Sequence, residues 1–229
     1  MYPLKFKAAI LRKISTPLNI EEITFRGPLK KGQVLVKLLY TGICGKQIEE
    51  IDEKGQPDKF LPHLLGHEGT AQIIDTGPGV DKKIIGKTAV LHWMKGEGIQ
   101  SDTPLYFDNK NRQINAGWVT TFNEYAVISQ NRLTVINSNK KFDQNALFGC
   151  AASTGLGICF NQVKITKTDT VLVVGCGGVG LSLIQGLKLF SPLKIIAADI
   201  SNSSLRLAKD CGASHTLNSS NKKFKKKFF

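Results

Sequence analysis

Apolar and polar residues change rhythm once along this chain, after Asn139. Before that point short apolar runs alternate with glycine and proline. Residues 7–11, 33–40, 69–76 and 87–92 read as strands by their length and β-branched content. Gln33-Val-Leu-Val-Lys-Leu-Leu-Tyr partly alternates, as a half-buried strand does. Gly27-Pro28, Gly77-Pro78-Gly79 and Gly86-Lys87 supply turns. Residues 94–117 are polar and read as irregular, and 121–129 and 133–136 add two more strands. The pattern predicts an all-β region, a distorted barrel, over residues 1–140.

Beyond Asn139 the pattern turns to α/β. Helix-compatible segments lie within 143–163, and 170–174 is a continuous apolar, β-branched run. Such a run suits a strand covered on both faces of a parallel sheet. A glycine-rich turn follows, then an apolar helix over 181–189, a second buried strand over 194–198, a helix over 203–211 stopped by Gly212, and a short strand over 215–217. The expected organisation is therefore a β domain (1–140), a partial doubly wound parallel sheet (141–217) and an unstructured basic tail (218–229).

Composition narrows the class. The 229 residues carry a formal charge of +13, but five of the lysines crowd the last eight residues (Lys222, Lys223, Lys225, Lys226 and Lys227) and the remaining excess is diffuse. With no nucleic-acid motif beside it, this charge reads as a solvated surface. No run of apolar residues is long enough to span a bilayer, and the first residues lack the apolar stretch of a signal peptide. Five irregularly spaced cysteines argue for reduced thiols and a cytoplasmic protein without a disulfide framework.

Two constellations carry chemistry. In Leu61-Pro-His-Leu-Leu-Gly-His-Glu-Gly69, His67 and Glu68 stand between glycines; Cys44 lies upstream in Gly-Ile-Cys-Gly and Cys150 downstream in Phe-Gly-Cys-Ala. Two thiolates and one imidazole leave a tetrahedral zinc with an open position, the pattern of a catalytic site. The second is Gly175-Cys-Gly-Gly-Val-Gly180, which follows a buried strand, opens a helix and precedes an acidic residue, Asp199, roughly 20 positions on. Its glycines allow a tight turn and close approach of a pyrophosphate to backbone N–H groups. Asp199 would accept ribose hydroxyls and repel a 2′-phosphate, favouring NAD over NADP. Gly175, Gly177, Gly178, Val179, Gly180 and Asp199 are thus the cofactor candidates. Cys159, Cys176 and Cys211 read as packing thiols, and His63 and His92 as structural histidines.

Taken in order, Gly42-Ile-Cys-Gly45, Gly66-His-Glu-Gly69, Gly149-Cys-Ala-Ala-Ser-Thr-Gly155 and Val171-Leu-Val-Val-Gly-Cys-Gly-Gly-Val-Gly180 resemble the zinc-dependent alcohol dehydrogenases of the medium-chain dehydrogenase/reductase superfamily. The resemblance implies a GroES-like β-barrel followed by a Rossmann domain, a small-molecule alcohol or carbonyl substrate, a catalytic Zn2+ and NAD. It implies Cys44, His67 and Cys150 as metal ligands, Glu68 as a carboxylate beside the metal and Trp93 as a ring against the substrate. A homo-oligomer is left open for a full-length form.

Three departures from the family stand out. Residues 95–117 hold none of the four cysteines of the family's structural zinc lobe. Lys46 and Gln47 replace the usual hydroxyl and carboxylate after the first ligand. Lys46 becomes the candidate proton relay, and Gln47 is expected to accept a hydrogen bond from the second ring nitrogen of His67. Finally, only three of the six Rossmann strands are recognisable, so the resemblance implies a C-terminally truncated oxidoreductase. The alternatives are an inactive zinc- and nucleotide-binding remnant, a zinc-free reductase of the quinone-oxidoreductase type (which the ligand set argues against) and a basic nucleic-acid binder.

Overall fold

A computed structural model describes residues 2–52, 58–137 and 142–221. The chain divides into two compact units, one ending at Cys150 and the next beginning at Ala151. The expected boundary at residue 140 and the basic residues from Lys222 onward lie outside the described residues.

Among the described residues, the first unit is built on ten strands: β1 (Leu4–Leu11), β2 (Asn19–Phe25), β3 (Gln33–Thr41), β4 (His63–Leu64), β5 (Gly69–Thr76), β6 (Thr88–Leu91), β7 (Tyr106–Asp108), β8 (Gln113–Ile114), β9 (Tyr125–Ser129) and β10 (Leu133–Ile136). They form two five-stranded sheets, ordered β4-β1-β2-β7-β8 and β10-β6-β5-β3-β9. The described pairings within both sheets are antiparallel. Backbone bonds from Ala9 N to Phe122 O and from Glu124 N to Lys7 O tie β1 to the approach of β9, so the two sheets join into a barrel.

Strand alternation explains where the core lies. Phe6, Ala8 and Ile10 of β1 point inward with Ile23, Phe25 and Tyr106 to form one cluster, in which the Phe6 and Tyr106 rings meet edge to face. On β3, Leu35 joins that cluster, whereas Val34 and Val36 face a second cluster with Ala71, Ile73, Leu91 and Ile128. Gln33 through Val36 are therefore all buried, which masks the alternation in the sequence. Between the sheets' strands, α1 (Gly45–Asp52) follows β3 and a short helix, α2 (Phe142–Ala146), precedes a tight turn to Cys150.

Residues 94–117 are not irregular throughout. Tyr106–Asp108 and Gln113–Ile114 make a hairpin that extends the first sheet. Asp108 holds it: its side chain, wholly buried, accepts bonds from Arg112 N and Lys110 N and pairs with Arg12 and Arg112.

The second unit opens with α3 (Ala151–Gly157), which runs into a wider turn over Ile158–Gln162. Its sheet is parallel, in the order β11 (Thr170–Val174), β12 (Lys194–Asp199), β13 (His215–Asn218), with α4 (Gly178–Lys188) and α5 (Asn202–Cys211) as the crossovers. These are the first three strands of a doubly wound sheet. Ser201 caps α5 by accepting Ser204 N, and Gly212 ends it at φ +120°, a region that favours glycine. Cys159 and Cys176 lie in the core as expected; Cys211 is half-buried against its edge. Third in the sheet, β13 reaches one residue past the expected strand, and Ser219 N donates to Asp199 O.

Candidate functional site

Three loops of the first unit converge on one point. The end of β3 and the start of α1 bring Cys44, the entry to β5 brings His67, and the turn after α2 brings Cys150. One donor atom from each residue lies within 4.8 Å of the other two. Close backbone packing makes this convergence possible. A Cβ on Gly149 would fall 2.1 Å from Leu91 O and 2.7 Å from Glu68 Cβ. One on Gly42 would fall 2.5 Å from the Glu68 carboxylate, and Gly66, at φ +87°, leaves no room beside Thr121. The glycines that frame the motifs are thus contact points between loops.

The donor set suits a metal. His67 Nδ1 is engaged by Gln47 Nε2 at 2.6 Å, whereas Nε2 is buried without a hydrogen-bond partner. A buried polar atom left so is costly, and a metal ion would satisfy it. Burial lowers the pKa of His67, which keeps the ring neutral, the form that ligates. The Cys150 thiol is pushed up to about 12 by burial, then by the negative charges of Cys44 and Glu68. A divalent cation reverses that balance and draws off the proton. Two sulfurs and one imidazole nitrogen fit zinc with an open fourth position.

The other expected residues fall in different places. Glu68 is buried, its carboxylate packed against Gly42 and its charge felt at Cys150. Lys46 is exposed, and its ammonium lies 3.5 Å from the Glu49 carboxylate. Trp93 is 48% exposed and lines a cavity of about 570 Å³ with Met94, Lys95, Trp118 and Arg132, none of them a donor residue. His63 bonds Asp58 and Leu64 O, and His92 bonds Met94 O and Thr134, which are structural roles.

Gln47 departs from expectation. Rather than accepting from His67, it turns its amide nitrogen toward the ring, because its carbonyl oxygen accepts Cys44 N at 3.0 Å. Here the sequence held an unread signal: a Gln in the third position of a helix reaches back to the N–H of the residue before it.

In the second unit the glycine loop joins β11 to α4. Gly175 takes φ +89° and donates its N–H to Ala198 O. Gly180 stands against the Gly175 carbonyl, where a Cβ would approach to 1.9 Å; at Gly177 a Cβ would meet nothing within 4 Å. The loop is therefore closed on its inner side and open on the other, a cradle for a phosphate at a helix N-terminus. Gly178 and Val179 sit in the first turn of α4. Asp199 ends β12; its carboxylate accepts Cys176 N at 2.7 Å and Ser201 N at 2.8 Å, and these bonds lower its pKa.

Comparison with known proteins gives this geometry its context. Residues 30–138 match the alcohol dehydrogenase GroES-like domain. The chain is 32% identical over 239 aligned positions to S-(hydroxymethyl)glutathione dehydrogenase of Photobacterium damsela subsp. piscicida, covering 94% of this chain and 64% of that protein.

The first unit carries an alcohol dehydrogenase GroES-like domain, and the chain is similar to the alcohol dehydrogenases.

Among solved structures, benzyl alcohol dehydrogenase from Acinetobacter calcoaceticus superposes with a TM-score of 0.81 at 28% identity, over 95% of this chain and 65% of that one. An alcohol dehydrogenase zinc-binding domain protein from Burkholderia ambifaria shares the fold, with a TM-score of 0.84 at 24% identity over 95% of this chain and 65% of that one. The barrel is thus GroES-like and the second unit is part of a Rossmann fold. This chain spans just under two thirds of the length of these alcohol dehydrogenases. Among the described residues, no helix is long and apolar enough to cross a membrane.

Proposed function

We propose that the chain holds a catalytic zinc ion through Cys44 Sγ, His67 Nε2 and Cys150 Sγ, binds NAD at the glycine loop, and serves hydride transfer between an alcohol and NAD. The observation that carries the reading is that a donor atom from each of Cys44, His67 and Cys150 lies within 4.8 Å of the others, while His67 Nε2 is buried without a hydrogen-bond partner. When bound, zinc would supply Lewis acidity that lowers the pKa of an alcohol, and NAD would supply the hydride acceptor.

The chain's own residues would do the rest. Glu68 places a negative charge beside Cys150 without leaving the core, so it balances the cation electrostatically. The open face of Gly177 and the N-terminus of α4 would receive the pyrophosphate. Asp199 would keep its remaining acceptor capacity for the ribose hydroxyls, and its charge would exclude a 2′-phosphate. Trp93 would offer an apolar wall for substrate, and Lys46, already in solvent, would exchange protons with water. A cytoplasmic setting would keep the ligand thiols reduced.

The test is metal content of the purified chain by elemental analysis, with NAD binding by calorimetry. Near-stoichiometric zinc that is lost in Cys44→Ser and Cys150→Ser supports the reading; metal-free, well-folded protein overturns it. Turnover is a separate question. Oxidation of simple alcohols or of S-(hydroxymethyl)glutathione, the substrate named in relatives of this chain, would show an active enzyme. Zinc and NAD binding without turnover would favour the second reading, a binding remnant.

A further inference from the structure

We propose that Gln47 is a positioning residue that fixes the ring tautomer of His67 and thereby loosens the hold of the three donors on a metal ion. The proposal rests on the zinc reading above. Gln47 is 2% exposed and sits at the third position of α1, with Cys44 immediately before the helix. Its side-chain carbonyl accepts Cys44 N at 3.0 Å, while Gln47 N donates to Cys44 O at 3.0 Å. The reciprocal pair closes the start of the helix. A backbone N–H is always a donor, so the amide oxygen is committed to that side.

The amide nitrogen must then face His67 Nδ1, 2.6 Å away. An amide NH2 only donates, so Nδ1 has to be the acceptor and the ring proton belongs on Nε2. Yet Nε2, buried and without another partner, is the ring nitrogen that Gln47 leaves for the cluster of donors. To ligate, Nε2 needs its lone pair and the proton must sit on Nδ1, where it would meet the Gln47 amide protons. Rotating the amide moves the conflict to Cys44 N. One of the two bonds is lost on metal binding, whichever way the amide faces. A carboxylate in place of this amide could accept from both Cys44 N and Nδ1 at once, since each of its oxygens is an acceptor. Partners that orient a ligating histidine change metal affinity by about 10- to 100-fold.

The experiment uses the full chain and its Gln47→Glu variant. In metal-free, 15N-labelled protein the ring-nitrogen shifts of His67, assigned by their loss in His67→Gln, place the proton on Nε2 in the unaltered chain and on Nδ1 in Gln47→Glu. A proton on Nδ1 in the unaltered chain overturns the proposal. In chelator competition Gln47→Glu binds zinc at least 10-fold tighter, and equal or weaker binding overturns the proposal while leaving the metal site standing. Zinc binding that persists unchanged in His67→Gln would instead overturn the metal reading, and the ring shifts would still decide the tautomer. If Gln47→Glu does not fold, Gln47→Asp carries the same two acceptors on a shorter stem and the same outcomes apply.

Discussion

The Asp199 carboxylate accepts the backbone N–H of Cys176 at 2.7 Å, so the residue expected to read the ribose also holds the loop expected to cradle the pyrophosphate. With Ser201 N on its other oxygen, this carboxylate joins the end of β12, the glycine turn and the cap of α5.

Replacing it should therefore have two effects. In Asp199→Ala the loss of two charge-assisted bonds lowers stability by about 2 kcal/mol, read from denaturant unfolding. Calorimetric titration should show weaker NAD binding and a smaller preference for NAD over NADP. An unchanged preference would remove Asp199 from ribose recognition.

Two glycines of the same loop should part company. A Cβ at Gly177 meets open space, so Gly177→Ala should keep the melting temperature and weaken NAD binding roughly 10-fold or more by filling the cradle. At Gly180 the Cβ would collide with the Gly175 carbonyl, so Gly180→Ala should lower stability by about 1–3 kcal/mol. Thermal melts run beside NAD titrations separate the two outcomes.

Gly149→Ala should disturb the metal site without touching a donor. Its Cβ would press on Leu91 O and on Glu68, moving the turn that delivers Cys150. The expected result is zinc binding at least 10-fold weaker, measured by chelator competition, together with a loss of about 1–3 kcal/mol in stability.

Acid should act on the barrel through Asp108. Burial alone would raise its pKa, but bonds from Arg112, Arg12 and Lys110 N hold it well below the ordinary carboxylate range. A depressed folded-state pKa stabilises the fold fully above the unfolded value, about 4, and this contribution is lost as pH falls through the folded value. Asp108→Asn should thus be less stable than the unaltered chain by about 3 kcal/mol at neutral pH. The gap should close as pH drops below about 4. Equilibrium unfolding across that range checks the convergence.

How much of this was legible beforehand depends on what each segment is made of. The strands over Gly69–Thr76, Leu133–Ile136 and Thr170–Val174 appear with the bounds their apolar, β-branched runs announce. By contrast Asn19–Phe25 was not foreseen: Glu21 and Glu22 dilute its apolar content, and Arg12 pairs with Glu21 across the β1–β2 hairpin. The hairpin at Tyr106–Asp108 was hidden because its stability lies in one buried carboxylate and its cations, which read in sequence as an ordinary polar loop. At the site, residue types and order named Cys44, His67 and Cys150, since only loops brought together in space could give that set one purpose. The donor direction of Gln47 follows from its place three residues after Cys44, a signal that can be read only once the helix start is recognised.

Strand β3 sits on both hydrophobic clusters of the barrel, giving Leu35 to one and Val34 and Val36 to the other. Neither cluster can come apart while that strand stays in place, so the first unit should open in a single cooperative step. The loop bearing Cys44 hangs from the end of the same strand. Amide hydrogens along Gln33–Thr41 should then be among the slowest to exchange, and the thiol at the head of α1 should keep its place until the whole barrel lets go.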